Sequence, residues 1–341
     1  MNKRLFFLSF SLLTFVYSKS QTTSVIRPGE VWKDVDGNAI NAHGGGILFY
    51  NNTYYWFGEI KKGKTWRVPG VTSWEDYRVD ASGISCYSST DLLHWKFEGV
   101  ALAPDKKDSS SDIHYTKVIE RPKVIYNDHT KKFVMWMHID KDDYGYAHAG
   151  VAVSDRPAGP YHFLGSMQPN GQMSRDMTLF KDDDGRAYHI YSSESNQTMH
   201  ICLLTDDYLK PTSTYNRILV NGNREAPALF KHDGKYYLIT SLCTGWDPNK
   251  ALYAMADSVL GDWKQIDNPC TGPDADMTYH AQSTYVLPLA GNDYIFMADK
   301  WNKTDLENSR YVWLPMKFTG RKPVIEWKDQ WSPVKQNFTK K

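Results

Sequence analysis

The chain has 341 residues with 40 Lys+Arg against 39 Asp+Glu, a net charge of +1, so no basic field draws in polyanions and no nucleic-acid partner is expected. With 41% hydrophobic and 23% charged residues the composition is that of a globular fold with a full core, which excludes disorder and coiled coil. Aromatic residues reach 14%, with 12 Trp and 22 Tyr; flat rings among polar neighbours suit sugar faces, and they also suit strands.

At the N-terminus, Asn2, Lys3 and Arg4 precede an apolar run from Leu5 to Tyr17, followed by Ser18, Lys19 and Ser20. This is the pattern of a secretory signal peptide over residues 1–20, leaving residues 21–341 as one exported domain, secreted or periplasmic, with no membrane span. Cys86, Cys202, Cys243 and Cys270 allow two disulfides in three connectivities or, since three of the four sit in the strand-like runs ISCYSS, HICLL and SLCTG, buried free thiols. No CxxC or HExxH occurs, so no zinc site is expected.

From residue 44 onward no long helical period is found. Short runs rich in Tyr, Val, Ile, Phe and Trp alternate with Gly, Asp, Asn and Pro clusters, an all-β pattern. Five hairpins can be read in order: GILFYNNTYYWFGE turning at Asn51-Asn52, PKVIYNDHTKKFVMWMH near Asn127-Asp128, TLFKDDDGRAYHIYSS at Asp184-Gly185, ALFKHDGKYYLITS at Asp233-Gly234, and STYVLPLAGNDYIFMADKW at Gly291-Asn292. Such dipeptides supply the positive φ of tight turns, and Asp182-Asp183-Asp184 is read as part of a turn, lacking the spacing of a calcium loop. Between hairpins, the segments 88–95, 154–161 and 256–263 echo one another and read as outer halves of a repeat. The recurrence at roughly 50 to 75 residues predicts a five-bladed β-propeller, with a β-sandwich as the alternative.

Each hairpin is preceded by a polar residue: His43, Glu120, Asp176, Glu225, and His280 with Gln282. In a propeller the first strand of each blade lines the axis, so these entry residues should converge on one pocket. Carboxylates sharing a pocket cannot all ionise freely, which raises at least one pKa and creates a general acid of the kind glycoside hydrolysis requires.

The phrases RDMTLFKDDDGRAYHIY, REAPALFKHDGKYYLITS and YHAQSTYVLP resemble glycoside hydrolase family 43, over nearly the whole mature chain. The resemblance implies that Glu225 is the general acid, that Asp176 modulates its pKa, and that His280 is the histidine of the final blade. One departure is clear. Most members carry an aspartate base in the first blade, whereas Asn41-Ala42-His43-Gly44-Gly45-Gly46 contains no carboxylate. HGGGILFY, FGE, VIERPKVIYN and HAQST resemble the exo-β-1,3-galactanase and β-1,3-galactosidase subgroup, which also lacks that base. This implies that Gln282 and Glu120 serve the water side, and that Glu59, Arg121, Tyr144, Asp176 and Thr244 meet galactose hydroxyls. Trp246 and Trp301 are candidate stacking platforms, and His43 and Asn196 belong to the same pocket. No cofactor is implied; some relatives hold a calcium ion near the final-blade histidine, so a structural calcium is the one ion the resemblance suggests.

The expected activity is a secreted, inverting, exo-acting, monomeric galactosidase that releases galactose from β-1,3-galactan of arabinogalactan type. The alternatives are an arabinofuranosidase, xylosidase or galactofuranosidase of the same family, or a non-catalytic carbohydrate-binding propeller.

Overall fold

A computed structural model describes residues 25–70 and 77–333; the proposed signal peptide lies outside them. The described residues form four antiparallel four-stranded sheets, a fifth in which the short strand Cys270–Thr271 adds in parallel to four antiparallel strands, and a two-stranded ribbon of Trp66–Arg67 and Tyr77–Arg78. Blade 1 comprises His43–Tyr50, Thr53–Glu59, Ile84–Ser89 and Lys96–Leu102; blade 2, Val118–Asn127, Lys132–Asp140, His148–Ser154 and His162–Met167. Blade 3 comprises Met177–Lys181, Ala187–Ser193, Thr198–Leu204 and Pro211–Ile218; blade 4, Arg224–His232, Lys235–Leu242, Leu252–Ala256 and Lys264–Asp267. Blade 5 is built from Gln282–Pro288, Tyr294–Lys300, Arg310–Thr319 and Lys322–Glu326. The first strand of each blade packs on that of the next, and blade 5 returns to blade 1, so the ring is closed. This is the five-bladed propeller that the hairpin period predicts.

Polarity falls and rises with distance from the axis. The second strand of blade 2, KFVMWMHID, is buried at every position but the first, because sheets cover both of its faces, and it therefore reads as a continuous apolar run. The outermost strand of blade 4, KQID, is exposed throughout. Near the axis the packing leaves no room for side chains at Gly45, where a Cβ would meet the Phe57 carbonyl oxygen at 1.7 Å. All five turns lie where the dipeptides place them. Asn51 and Asn52 take φ 48° and 57°, and Asp233 and Gly234 take 47° and 70°, the mirror-image turn that matches strand twist. Asp182 sits in its turn and accepts from Lys231 at 2.7 Å and from Tyr236.

Blades 5 and 1 are joined by an aromatic cluster of Trp32, Trp56, Trp95, Tyr311 and Trp313, with centroid separations of 4.6 to 6.2 Å around Trp56. Ile26 and Trp331 exchange two backbone hydrogen bonds, 2.7 and 3.0 Å, beside it. All four cysteines are free thiols, three of them buried, which selects the reading without disulfides. No helix among the described residues is long and apolar enough to cross a membrane.

Candidate active site

Four of the six expected entry residues, Glu120, Asp176, Glu225 and Gln282, meet as the period implies. Glu120 and Arg121 from blade 2, Asp176 from blade 3, Glu225 from blade 4 and Gln282 from blade 5 line one cavity of about 600 Å³, together with Tyr144, Asn196, Thr244 and Trp246. A local device aims them. In blades 1, 2 and 4 the register slips by one bulge immediately after the entry residue, between His43 and Gly46, Glu120 and Lys123, and Glu225 and Ala228. The residue that follows each is left-handed: Gly44 at φ 59°, Arg121 at 55° and Ala226 at 54°. A bulge of this kind turns one side chain off the strand's alternation, and non-glycine residues hold such a φ only where surrounding contacts enforce it. Those contacts are present. The Arg121 N–H donates to Glu59 Oε1 at 2.9 Å, and the Ala226 N–H donates to Asp176 Oδ2 at 3.0 Å.

Glu225 is enclosed. Gln282 Nε2 donates to its Oε1 at 2.9 Å and Asn196 Nδ2 to its Oε2 at 3.3 Å. Burial first, and the neighbouring Asp176 charge second, push its pKa up to about 8, against the opposing pull of Arg121. It is therefore a protonated acid at neutral pH. Arg121 pairs with Asp176 at 2.8 Å and also donates to Gln282 Oε1. Trp301 Nε1 donates to that same oxygen at 3.1 Å, while Gln282 Nε2 reaches Ser241 Oγ at 3.1 Å. Both ends of the amide are thus held.

Glu120 is the opposite case. It accepts from Lys61 Nζ at 3.2 Å and from the Tyr144 hydroxyl at 3.1 Å, and it stands 3.6 Å from His138 Nδ1. Burial alone would raise its pKa, but Lys61, His138 and Arg78 outweigh it and hold the carboxyl well below the usual range. Glu59 is buried one step deeper, paired with Lys61 at 2.6 Å, and burial raises its pKa. One cavity therefore holds an acid that is neutral and a carboxylate that is ionised, the two states that acid–base cleavage of a glycoside uses.

Several expected residues lie beside the cavity. His43 is buried, with Nδ1 2.9 Å from Asp299 and its ring stacked on Tyr311, so it braces blade 1 against blade 5. Trp301 packs edge-on against Trp246 at 5.0 Å and reaches the site through Gln282. Trp246 lines the cavity. His280 is not brought there. Thr278, Tyr279 and His280 take φ between 49° and 61°, and this turn leaves His280 exposed, 3.6 Å from Asp274, while Gln282 enters the cavity. A calcium ion needs six to eight oxygens, and an exposed histidine with one carboxylate nearby does not fit it. Glu120, His138 and Asp176 do bring donor atoms within 4.8 Å of one another, but Lys61 and Arg121 already balance the two carboxylates.

Sequence reasoning missed Lys61, His138, Arg175 and Cys243. Arg175 and Cys243 line the cavity, and Arg175 Nη2 donates to the Tyr144 carbonyl at 2.8 Å. Arg175 adjoins Asp176 and carried a signal in RDM. Lys61 sits in a lysine-rich connection, EIKKGK, where nothing singles it out.

The model of glycosyl hydrolases family 43 matches residues 37–331. This chain belongs to glycoside hydrolase family 43. A family 43 β-1,3-galactosidase solved with galactodeoxynojirimycin is 47% identical, with a TM-score of 0.83 over 90% of this chain and 100% of the other. A second family 43 β-1,3-galactosidase is 41% identical, with a TM-score of 0.84 over 91% of this chain and 64% of the other, so this chain spans about two thirds of that protein. An exo-β-1,3-galactanase from Phanerochaete chrysosporium, solved with galactose, is 38% identical, with a TM-score of 0.82 over 90% of this chain and 68% of the other. A comparison with curated protein sequences returns no match. The family 43 chain is accordingly a glycoside hydrolase.

Proposed function

We propose that this glycoside hydrolase is an exported, inverting exo-β-1,3-galactosidase that removes terminal galactose from β-1,3-galactan. The observation that carries the chemistry is the buried Glu225 carboxyl, raised to about 8, in one cavity with the ionised Glu120. The substrate class is supported by the similar family 43 structures, a β-1,3-galactosidase and an exo-β-1,3-galactanase. Export is supported by the apolar run and small residues of positions 1–20.

In this reading Glu225 gives its proton to the glycosidic oxygen, and Asp176, held by Arg121 and the Ala226 N–H, keeps that proton in place until the bond breaks. The water side falls to Glu120 and Gln282. A neutral amide orients a water without taking its proton, whereas an ionised carboxylate takes it; Glu120 is then the base, and Gln282, held by Arg121 and Trp301, is the orienting group. The Tyr144 side chain and the Arg121 fork, which line the cavity, offer groups for sugar hydroxyls, while Glu59, expected to do so, lies behind Lys61 and anchors it.

The test is incubation with β-1,3-galactobiose, following the first-formed anomer by proton NMR. α-Galactose is expected first, and Glu225→Gln should cost about 10²- to 10⁴-fold in kcat. Release from arabinofuranosides or xylosides but not from galactobiose would overturn the substrate while keeping the acid. Because Glu225 acts only when protonated, kcat/KM should fall as pH rises through about 8.

A further inference from the structure

His138 and Asp140 lie behind Glu120 and take no part in the steps above. His138 is 1% exposed and Asp140 fully buried. Asp140 Oδ1 accepts the N–H groups of Lys141, Tyr146 and Ala147 at 2.8 to 3.0 Å, which immobilises the carboxylate. Its other oxygen stands 2.9 Å from His138 Nε2. That contact leaves Nδ1 to face the cavity side, 3.6 Å from Glu120 Oε2 in ion-pair range and with no hydrogen-bond partner. The result is a carboxylate–imidazole–carboxylate row ending at the cavity wall.

We propose that His138, braced by Asp140, is a positioning residue that holds the Glu120 carboxylate toward the cavity as the base. Glu120 is then kept unprotonated at acidic pH while Glu225 in the same cavity keeps its proton. The inference rests on the glycosidase reading. The row supports it in a way that packing alone does not. A neutral imidazole donates to only one carboxylate and turns a lone pair toward the other, whereas an imidazolium donates to Asp140 and presents a second N–H to the Glu120 anion. Lys61 supplies the second cation, on the other oxygen of Glu120. The remaining groups facing the row are Glu59 behind Lys61, Arg78 against the Tyr144 ring, the Tyr144 hydroxyl, Asp176 within 4.8 Å of Glu120 and His138, and Arg175, whose Nε lies 3.9 Å from Asp140. The two negative partners in direct line raise the His138 pKa to about 9 in spite of its burial.

Two measurements test this. The first needs no substrate: the ring of His138, assigned by its loss in His138→Gln, is followed by NMR against pH in histidine-labelled protein. The imidazolium should persist past pH 8; a midpoint at or below the ordinary 6.5 would overturn the inference. The second is the pH profile of kcat/KM on β-1,3-galactobiose. His138→Gln keeps a donor near Glu120 without the charge, and Asp140→Asn, nearly isosteric, removes the brace; it serves also if His138→Gln does not fold. Each should move the acidic limb up by about one pH unit, a roughly ten-fold loss below that limb, with the limb near 8 unmoved. An equal loss at every pH would mean a structural role only and would overturn it. If the wild type does not cleave galactobiose, the substrate reading fails, and the NMR titration still decides the state of His138.

Discussion

Glu225 is a carboxyl that the fold keeps neutral, and that arrangement costs stability. Its folded pKa of about 8 lies above the ordinary value of 4.5, so between these pH values the folded chain holds a proton that the unfolded chain releases. Stability therefore falls as pH rises through that window. Glu225→Gln has no proton to hold; it should unfold at a higher temperature than the wild type at pH 8, with the gap closing toward pH 5, as calorimetry would show. Lys61 is the reverse case. Its ammonium is the shared counter-charge of Glu59 and Glu120, and Lys61→Met would leave two carboxylates buried without it. Removing one partner of a buried pair costs about 3–5 kcal/mol, and the loss should be largest at neutral pH, read by urea denaturation. At this scale Glu225, Asp176 and Glu120 were legible because each opens a hairpin phrase. Lys61 and His138 were not, since one sits in a run of lysines and the other inside an apolar strand.

Among the elements, the inner strands do the positioning, and their bulges decide which side chains reach the cavity. Gly44 shows the tolerance of this device. At φ 59° an added Cβ would lie 2.1 Å from Glu59 Oε1 and 3.5 Å from Arg121 Cδ. Gly44→Ala combines a left-handed penalty of about 1–2 kcal/mol with displacement of Glu59, and should raise KM as well as lower the thermal midpoint. The turns and strands were legible from Asp-Gly, Asn-Asn and Gly-Asn between apolar runs. The bulges were not. A slip of one residue leaves the same residue types in the same order and shows itself only in the register between two strands.

For the whole molecule, the ring must close between blades 5 and 1, far apart in sequence. Trp56, 1% exposed, lies at the centre of that seam against Trp95, Tyr311 and Trp313. Trp56→Ala should destabilise by about 3–5 kcal/mol, measured by denaturant midpoint, and more than truncation of a rim aromatic such as Phe49, which is 54% exposed. The seam also carries function, because His43 bridges it by Asp299 and Tyr311 beside Trp301.

The sequence by itself determined the all-β class, the five hairpins and the convergence of entry residues on one axis, because period-2 patterning and turn chemistry are local and repeat at a fixed interval. Only the tertiary structure decided the electrostatics. That Glu225 is held neutral and Glu120 ionised depends on which charges four different blades bring within a few ångströms and on how far each is shut off from water. It also decided that His280 stays outside while Gln282 enters, since His280 ends a left-handed run from Thr278 and Gln282, two residues on, opens the inner strand.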